Sequence, residues 1–283
     1  MLKKVAGRKP TQDAEESPSG RLARALAVIE LLAENAAGMQ LYGIAERLGI
    51  PRSATHRVLT SLVEPGYVHQ EQLQGTYRLT AKITSLAFTF LARSGITDFA
   101  QPVLDRLAEQ SGELARLAVI HGKELVWVSK AQGSLFGLRY DPDMGQVARL
   151  SCSASGHAWL SCLPEDEALS LVRSQGLGTR NEYGPRAPET EEALLKHLRK
   201  ARRDGFAIVV QAYTPWTNAM AAPIRHPQTQ EVSGVVVIAG PAVRFTQERM
   251  EALSSSLLKA AQELSVTPTA SAFVTRRFVR PAA

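Results

Sequence analysis

The sequence has few features of a secreted or membrane-spanning protein. It contains only two cysteines, Cys152 and Cys162, among 283 residues. A chain of this length can bury a sizeable core without disulfides, so we expect both thiols to be reduced. No run of about eighteen apolar residues occurs, and the polar start "MLKKVAGRKPTQDAEESPSG" lacks the apolar stretch of a secretory signal. We therefore expect a cytoplasmic protein with no membrane partner.

Catalytic and metal-binding motifs are also missing from the sequence. The chain contains no HExxH, no GxSxG and no glycine-rich phosphate loop. The alternative is a thiol- or metal-dependent activity centred on Cys152 and His157. Five positions along a helix do not bring these two residues reliably to one face, and no paired-cysteine zinc spacing accompanies them. We therefore expect no enzyme activity, no catalytic residues, no metal ion and no cofactor.

Positive charge is concentrated at the two ends of the chain. The formal net charge is +6, and residues 1–95 hold twelve Lys and Arg against eight Asp and Glu. Residues 96–267 are nearly neutral, with eighteen against nineteen, whereas residues 268–283 hold three against none. This distribution favours a protein whose first domain contacts a polyanion. A solvated basic surface without any partner is the alternative reading.

The first patterned segment indicates three helices and a hairpin. Residues 1–20 are polar and predicted to be disordered. Apolar residues at three- and four-residue spacings from Leu22 to Leu32 predict a helix over "RLARALAVIELLAEN". A second helix, "QLYGIAERLGI", ends at Gly49, a third begins at Pro51, and "YVHQEQLQGTYRLT" alternates as a hairpin. This order is typical of a winged helix-turn-helix domain, here over residues 21–80.

The third helix carries hydrogen-bond donors where a solvated helix usually carries mixed charge. No acidic residue falls between Pro51 and Leu62. A helix that enters the major groove needs such donors in its first turn to meet base edges and phosphates. An exposed amphipathic helix of an unrelated fold is the alternative. The predicted DNA contacts are Arg52, Ser53, Thr55, His56 and Arg57 of the helix, with Gln74, Tyr77 and Arg78 of the wing.

The remainder of the chain indicates a linker helix and an α/β domain. The apolar stretch "AKITSLAFTFLARSG", residues 81–95, predicts the linker helix. Residues 96–267 then mix alternating strands with amphipathic helices, which predicts an antiparallel sheet covered by helices. A single helix capped by Thr246, "TQERMEALSSSLLKAAQELS", is predicted to close this domain, and a basic tail over residues 268–283 follows. The fold class is therefore α+β with two domains.

The chain resembles the IclR family of bacterial transcriptional regulators over residues 21–265. The segments that carry the resemblance are "GIPRSATHRVLTSLVEPGYV", "DFAQPVLDRLAEQSGE", "SASGHAWLSCLPEDE", "KARRDGFAI" and "AMAAPI" followed by "GVVVIAGP". The resemblance implies a homodimer or dimer of dimers on a palindromic operator in double-stranded DNA. It also implies a GAF-like C-terminal domain for effector binding and oligomerisation, in which a small organic acid changes DNA affinity or the recruitment of RNA polymerase.

The resemblance also indicates where the effector would bind. In the family the acid lies between the sheet and the helix that begins here near Ala154, and free N–H groups at a helix start can bind a carboxylate. Members that respond to glyoxylate or pyruvate carry an acid, a cysteine and two serines at positions matching Val209, Ala219, Val237 and Ala239 of this chain. Their replacement by apolar residues predicts a wider pocket for a larger acid, for instance an aromatic carboxylate.

The predicted effector site therefore combines small and apolar residues, any one of which could instead be ordinary core. Arg139 is a candidate partner for the acid or for a surface carboxylate. Beyond the four substituted positions, the predicted effector residues are Leu138, Ala154, Ser155, Gly156, Tyr213, Trp216 and Met220.

Overall fold

The computed structural model describes residues 20–94, 96–142, 147–178 and 182–266. The predictions made for the two polar tails therefore lie outside the described residues, except at Gly20. The internal contacts divide the chain into two compact units, with the division between Phe90 and Leu91. This point falls inside the stretch predicted as a linker helix. Within the described parts of the chain, no helix has both the length and the apolar character needed to cross a membrane.

The first unit contains three helices and a three-stranded antiparallel sheet. Helices α1 (Arg21–Glu34), α2 (Leu41–Leu48) and α3 (Arg52–Val63) surround a core built on Val28, Ile44 and Leu59. The short strand β1 (Met39–Gln40) pairs with β3 (Thr76–Leu79), and β3 pairs with β2 (Val68–Gln70). The predicted winged helix-turn-helix is confirmed. Helix α4 (Ala81–Ser94) follows.

The turn between α2 and α3 is set by one glycine. Gly49 adopts the left-handed conformation, with φ 60° and ψ 30°, and its N–H donates to the carbonyls of Ala45 and Glu46. Glycine adopts this conformation at low cost because it has no Cβ. Pro51 then occupies the N-cap of α3, where the helix would not use its missing N–H. The chain can therefore reverse within a few residues and pack α3 against α2.

The second unit is a five-stranded antiparallel sheet with helices on both faces. Its strand order is β5-β4-β8-β7-β6. The strands are β4 (Leu114–His121), β5 (Glu124–Gln132), β6 (Ala207–Val210), β7 (Thr217–Arg225) and β8 (Val232–Pro241). The helices are α5 (Ile96–Ser111), α6 (Ala154–Leu160), α7 (Glu165–Gln175), α8 (Glu191–Asp204), α9 (Gln247–Ala252) and α10 (Ser254–Ser265).

Two separate cores lie on the two faces of this sheet. Helices α6, α7 and α8 contribute to one core, and α5, α9 and α10 contribute to the other. Successive residues of a strand point to opposite faces, so Val237 joins the first core while its neighbours Val236 and Ile238 join the second. The predicted antiparallel sheet covered by helices is confirmed.

The closing helix differs from the prediction. Instead of one helix, the structure has α9 and α10, separated at Leu253, whose φ of −88° and ψ of −1° lie off the helical values. The predicted cap is present, because the Thr246 side chain accepts a hydrogen bond from the Arg249 N–H. The amphipathic spacing continues across the break, so the sequence pattern alone does not reveal it.

Candidate functional site

The first turn of α3 presents polar and basic side chains to solvent. Arg52, Ser53, His56 and Arg57 are all exposed. The Arg52 guanidinium lies over the ring of Tyr42 in α2, with Cζ 4.5 Å from the ring centroid. Stacking on an aromatic face restrains this long side chain while leaving its in-plane N–H groups available as donors. The exposed face of α3 is therefore basic, and the contact with Tyr42 restrains one of its two arginines.

Two of the predicted DNA contacts are buried. Thr55 is wholly buried in α3, and its hydroxyl donates to the Pro51 carbonyl one turn earlier. Tyr77 lies in the core of the first unit, because it occupies an inward position of β3 opposite Met39 and Gln70. Their predicted role as contacts needs correcting, since a side chain in the core cannot reach a duplex. Sequence pattern did not separate inward from outward positions at these two sites.

The wing keeps two of its predicted contact residues at the surface. Gln74 is exposed in the turn between β2 and β3, and its carbonyl accepts a hydrogen bond from the Gln40 side chain. The Arg78 guanidinium forms an ion pair with Glu71 across the hairpin, with Nη2 and Oε2 3.3 Å apart. Arg78 therefore has an internal partner that a phosphate would have to replace.

The second unit contains a cavity on the face of the sheet that carries α6. Its empty volume, including the part open to solvent, is about 630 Å³. Among the described residues that line it, none is acidic and two are arginines. The lining consists of Arg116, Trp127, Tyr140, Pro142, Val147, Ala148, Arg149, Ser153, Ala154, Ser155, Val209, Tyr213, Thr217, Ala219, Val237 and Ala239.

Seven of the predicted effector residues line this cavity. Four of them are the positions where this chain has apolar residues and the glyoxylate- or pyruvate-responsive members have polar ones. These four all face the cavity, because they lie on the same face of three neighbouring strands. Val209 pairs with Ala219, and Ala219 pairs with Ala239. The seven residues are Ala154, Ser155, Val209, Tyr213, Ala219, Val237 and Ala239.

The other four predicted effector residues lie elsewhere. Leu138 and Trp216 are 64% and 73% exposed and do not line the cavity. Met220 is buried in the core on the opposite face of the sheet, because it follows Ala219 in β7 and neighbouring residues alternate. Gly156 packs against Leu150, whose carbonyl oxygen would lie 2.3 Å from a Cβ added at the glycine.

Two of the N–H groups at the start of α6 are already bonded within the helix. The Gly156 N–H donates to the Ser153 hydroxyl at 3.0 Å, and the His157 N–H donates to the Ser153 carbonyl at 3.0 Å. Ser153 therefore caps the helix, which has only seven residues. Ala154 and Ser155, the first two residues of this helix, line the cavity.

Arg116 is the main cavity residue that sequence analysis missed. It is 4% exposed in the middle of β4, opposite Val237, and its Cζ lies 3.8 Å from the centroid of the Trp127 ring. A single arginine within the otherwise apolar strand "LARLAVI" was the signal that could have identified it. Trp127, Tyr140, Arg149, Ser153 and Thr217 were also missed.

Burial alters the acid–base properties of the cavity. It lowers the pKa of Arg116 to about 10, an effect that Tyr140, Tyr213 and Asp141 partly oppose. Burial likewise raises the pKa of the Tyr140 phenol to about 12. Arg116 therefore remains a cation and Tyr140 a neutral phenol at pH 7. Burial thus disfavours the charged form of both groups, and Arg116 is nevertheless a buried cation in the cavity wall.

The cysteine and histidine considered for catalysis have unreactive protonation states. Burial raises the pKa of the Cys152 thiol to about 12 and lowers the pKa of His157 to about 4. The His157 Nε2 lies 2.8 Å from the Ser151 carbonyl, and its ring centroid lies 5.3 Å from that of His197. An activated thiol needs a lowered pKa, so this pair lacks the properties of a nucleophile and its base. Across the described residues, no three His, Cys, Asp or Glu side chains are grouped as metal ligands.

Comparison with protein-family models gives two matches along the chain. Residues 21–72 match the IclR helix-turn-helix domain, and residues 88–266 match the C-terminal domain of the bacterial transcriptional regulator IclR. The HTH-type transcriptional regulator BhcR of Paracoccus denitrificans is 30% identical over 260 residues, covering 92% of this chain and 91% of that protein. The transcriptional repressor IclR of Escherichia coli is 26% identical over 247 residues, covering 87% and 88%.

Solved structures share the same fold. The regulator from Alicyclobacillus acidocaldarius gives a TM-score of 0.76 at 23% identity and covers 87% of this chain and 97% of that one. An IclR homologue from Microbacterium hydrocarbonoxydans, solved in complex with 4-hydroxybenzoate, gives a TM-score of 0.71 at 22% identity, covering 88% and 100%.

Proposed function

The chain belongs to the IclR family of bacterial transcriptional regulators and is a DNA-binding regulator of transcription, and we propose that a small organic acid bound in the cavity of its second unit controls it. The observation that carries the effector proposal is the cavity itself, which is largely apolar and holds two arginines but no acidic residue among its described lining. Such a cavity favours an acid with an apolar body. The 4-hydroxybenzoate complex of the Microbacterium homologue supports an aromatic acid as the first class to test.

The proposed DNA-binding surface is the exposed face of α3 together with the wing. Arg52, Ser53, His56 and Arg57 supply donors for bases and phosphates, and Gln74 and Arg78 lie on the hairpin. In this proposal residues 21–80 bind DNA, residues 81–95 join the units, and residues 96–267 bind effector and assemble the oligomer. Symmetric dimers read two half-sites, which implies a palindromic operator. Effector binding then changes either DNA affinity or the recruitment of RNA polymerase.

The DNA-binding part is tested with an operator selected from random duplexes and with fluorescence anisotropy. We expect the Arg52→Ala/Arg57→Ala variant to lose at least about tenfold in affinity, because one guanine contact is worth about 1–3 kcal/mol. The matched control, Lys196→Ala/Arg203→Ala, removes the same charge from the exposed surface of α8 and should bind as the native chain does. Undiminished binding by the α3 variant would exclude this face as the DNA contact.

The effector part is tested by thermal unfolding of the full chain with acetate, pyruvate, glyoxylate, benzoate and 4-hydroxybenzoate. A ligand at a hundred times its Kd adds about 2.7 kcal/mol to the stability of the state that binds it. We expect stabilisation by the aromatic acids and a change in operator binding or transcription at the same concentrations. Stabilisation by none of these acids would contradict the effector class.

A further inference from the structure

The cavity contains one buried cation whose position is fixed by the sheet. Arg116 lies opposite Val237 in β8, and same-face residues of the neighbouring strands, Ala219 and Ala239, line the cavity beside it. The antiparallel register places this side chain on the face of the sheet that lines the cavity. Arg149, the other arginine of the lining, is exposed, and its Nη1 lies 3.5 Å from the Gln175 carbonyl. The two arginines therefore have different environments.

An aromatic ring orients the buried guanidinium. The Arg116 Cζ lies 3.8 Å from the centroid of the Trp127 ring, which covers one face of the planar group. All five N–H groups of a guanidinium lie in its plane, so stacking on one face leaves the fork of donors directed to the sides. A carboxylate matches this fork with two parallel hydrogen bonds. The geometry suits a planar anion better than a neutral amide, which has only one acceptor oxygen.

The electrostatics of the cavity favour an incoming anion. Burial lowers the pKa of Arg116 to about 10, which means that the surroundings destabilise the cation. An anion beside the guanidinium would offset that effect. Asp141, which follows the lining residue Tyr140, is already held by Lys130, with Oδ1 and Nζ 2.6 Å apart.

The rest of the wall sets the shape of the ligand. Trp127, Tyr140 and Tyr213 supply aromatic surfaces, and Tyr213 is further supported by the ring of Tyr183 at 6.4 Å between centroids. Ala148, Ala154, Ala219 and Ala239 leave space between these surfaces. A flat apolar body of about one ring can stack there and gain from contact with aromatic faces.

From these observations we infer that Arg116, stacked on Trp127, binds the carboxylate of the effector and selects flat, apolar monocarboxylates. This assignment rests on the proposed function of the cavity as the effector site. It places the recognition of charge on strand β4, whereas the Gly156 and His157 amides at the start of α6 are bonded to Ser153.

Calorimetric titration of the full chain with benzoate and with benzamide tests the assignment. The two probes share a ring and differ in charge, so we expect benzamide to bind the native chain at least about tenfold more weakly, the range of a charge-assisted hydrogen bond. The Arg116→Gln variant should lose about tenfold or more for benzoate and stay within about threefold for benzamide. Arg203→Gln, which removes an exposed arginine of α8 outside the cavity lining, is the matched control and should bind both probes as the native chain does.

The possible results distinguish a wrong role for Arg116 from the absence of an effector site. Equal binding of benzoate and benzamide by the native chain, or unchanged benzoate binding by Arg116→Gln, overturns the role of Arg116 while leaving an effector site in place. Binding of acetate or pyruvate without benzoate overturns the ligand class alone. Binding of no acid overturns both. If Arg116→Gln does not fold, Arg116→Lys keeps the charge without the planar fork, and the comparison of the two probes on the native chain needs no variant.

Discussion

Two arginines of the second unit show that one residue type can lie in very different surroundings. Arg244 is neutralised within the protein, because its Nε and Nη2 donate to the two carboxylate oxygens of Glu113 at 2.6 and 2.9 Å. Its Nη2 also donates to the Ser134 hydroxyl at 3.1 Å. Arg116 lies against the ring of Trp127 in the wall of a cavity. The first arrangement joins the ends of strands, and the second suits the recognition of an external anion.

We expect Arg244→Ala to destabilise the second unit strongly. Glu113 is 1% exposed, so the substitution would leave a buried carboxylate without its cation, which typically costs about 3–5 kcal/mol. Denaturant unfolding of the full chain measures this loss. Arg173→Ala is the control, since it breaks a bidentate pair with Glu191 at the surface, where water screens the charges, and it should therefore cost little stability. Equal losses of stability from the two substitutions would contradict the role of Arg244 in neutralising the buried Glu113 carboxylate.

At the scale of single elements, local signals account for most of what could be predicted. Helices α1 to α3, the wing and the Thr246 cap follow from spacing, glycine and capping residues, which act over a few positions. The cavity depends instead on which strands become neighbours. Arg116 faces Val237 only because β4 pairs with β8, more than a hundred positions later, and no local pattern specifies that register.

The same limit explains the predicted contacts that the structure places elsewhere. Met220 and Ala219 are adjacent and both apolar. The resemblance placed Ala219 toward the ligand, whereas Met220 was predicted as apolar wall although the two residues alternate along the strand. Tyr77 and Arg78 likewise alternate on β3, one inward and one outward. In each case the residue type suits either face, so the direction of the side chain had to come from the packed sheet.

The turn between α2 and α3 yields a prediction at this scale. Gly49→Ala places a Cβ on a residue at φ 60°, so we expect a loss of about 1–2 kcal/mol in the stability of the first unit. Gly43→Ala is the matched control within α2, where its Cβ would meet only the flexible end of Met39 at 3.4 Å. Alanine has a higher helix propensity, so this change should be neutral or stabilise by up to about 1 kcal/mol. A Gly49 variant as stable as the control, by denaturant unfolding, would contradict the requirement for the left-handed turn.

The first unit carries exposed leucines on α1, and we propose that they contact a second copy of the chain. Leu22 and Leu26 of α1 are 75% and 50% exposed, whereas Val28, Leu31 and Leu32 of the same helix are buried in the core. One helix therefore has an apolar inner face and leucines on its outer face near the N-terminus. Pairing of two copies through these leucines would cover them and present two α3 helices to two half-sites of an operator.

This arrangement predicts that assembly and DNA affinity change together. We expect Leu22→Glu/Leu26→Glu to weaken self-association, because leucines that would cover each other in the dimer are replaced by like charges. The same variant should reduce binding to a full operator more than to one half-site. Sedimentation velocity and anisotropy measure the two effects. Val243→Glu, which alters a valine 84% exposed in the second unit, is the control and should leave both unchanged. Dissociation by the Val243 variant instead would place the main interface on the second unit, and operator binding through α3 would then depend on assembly elsewhere in the chain.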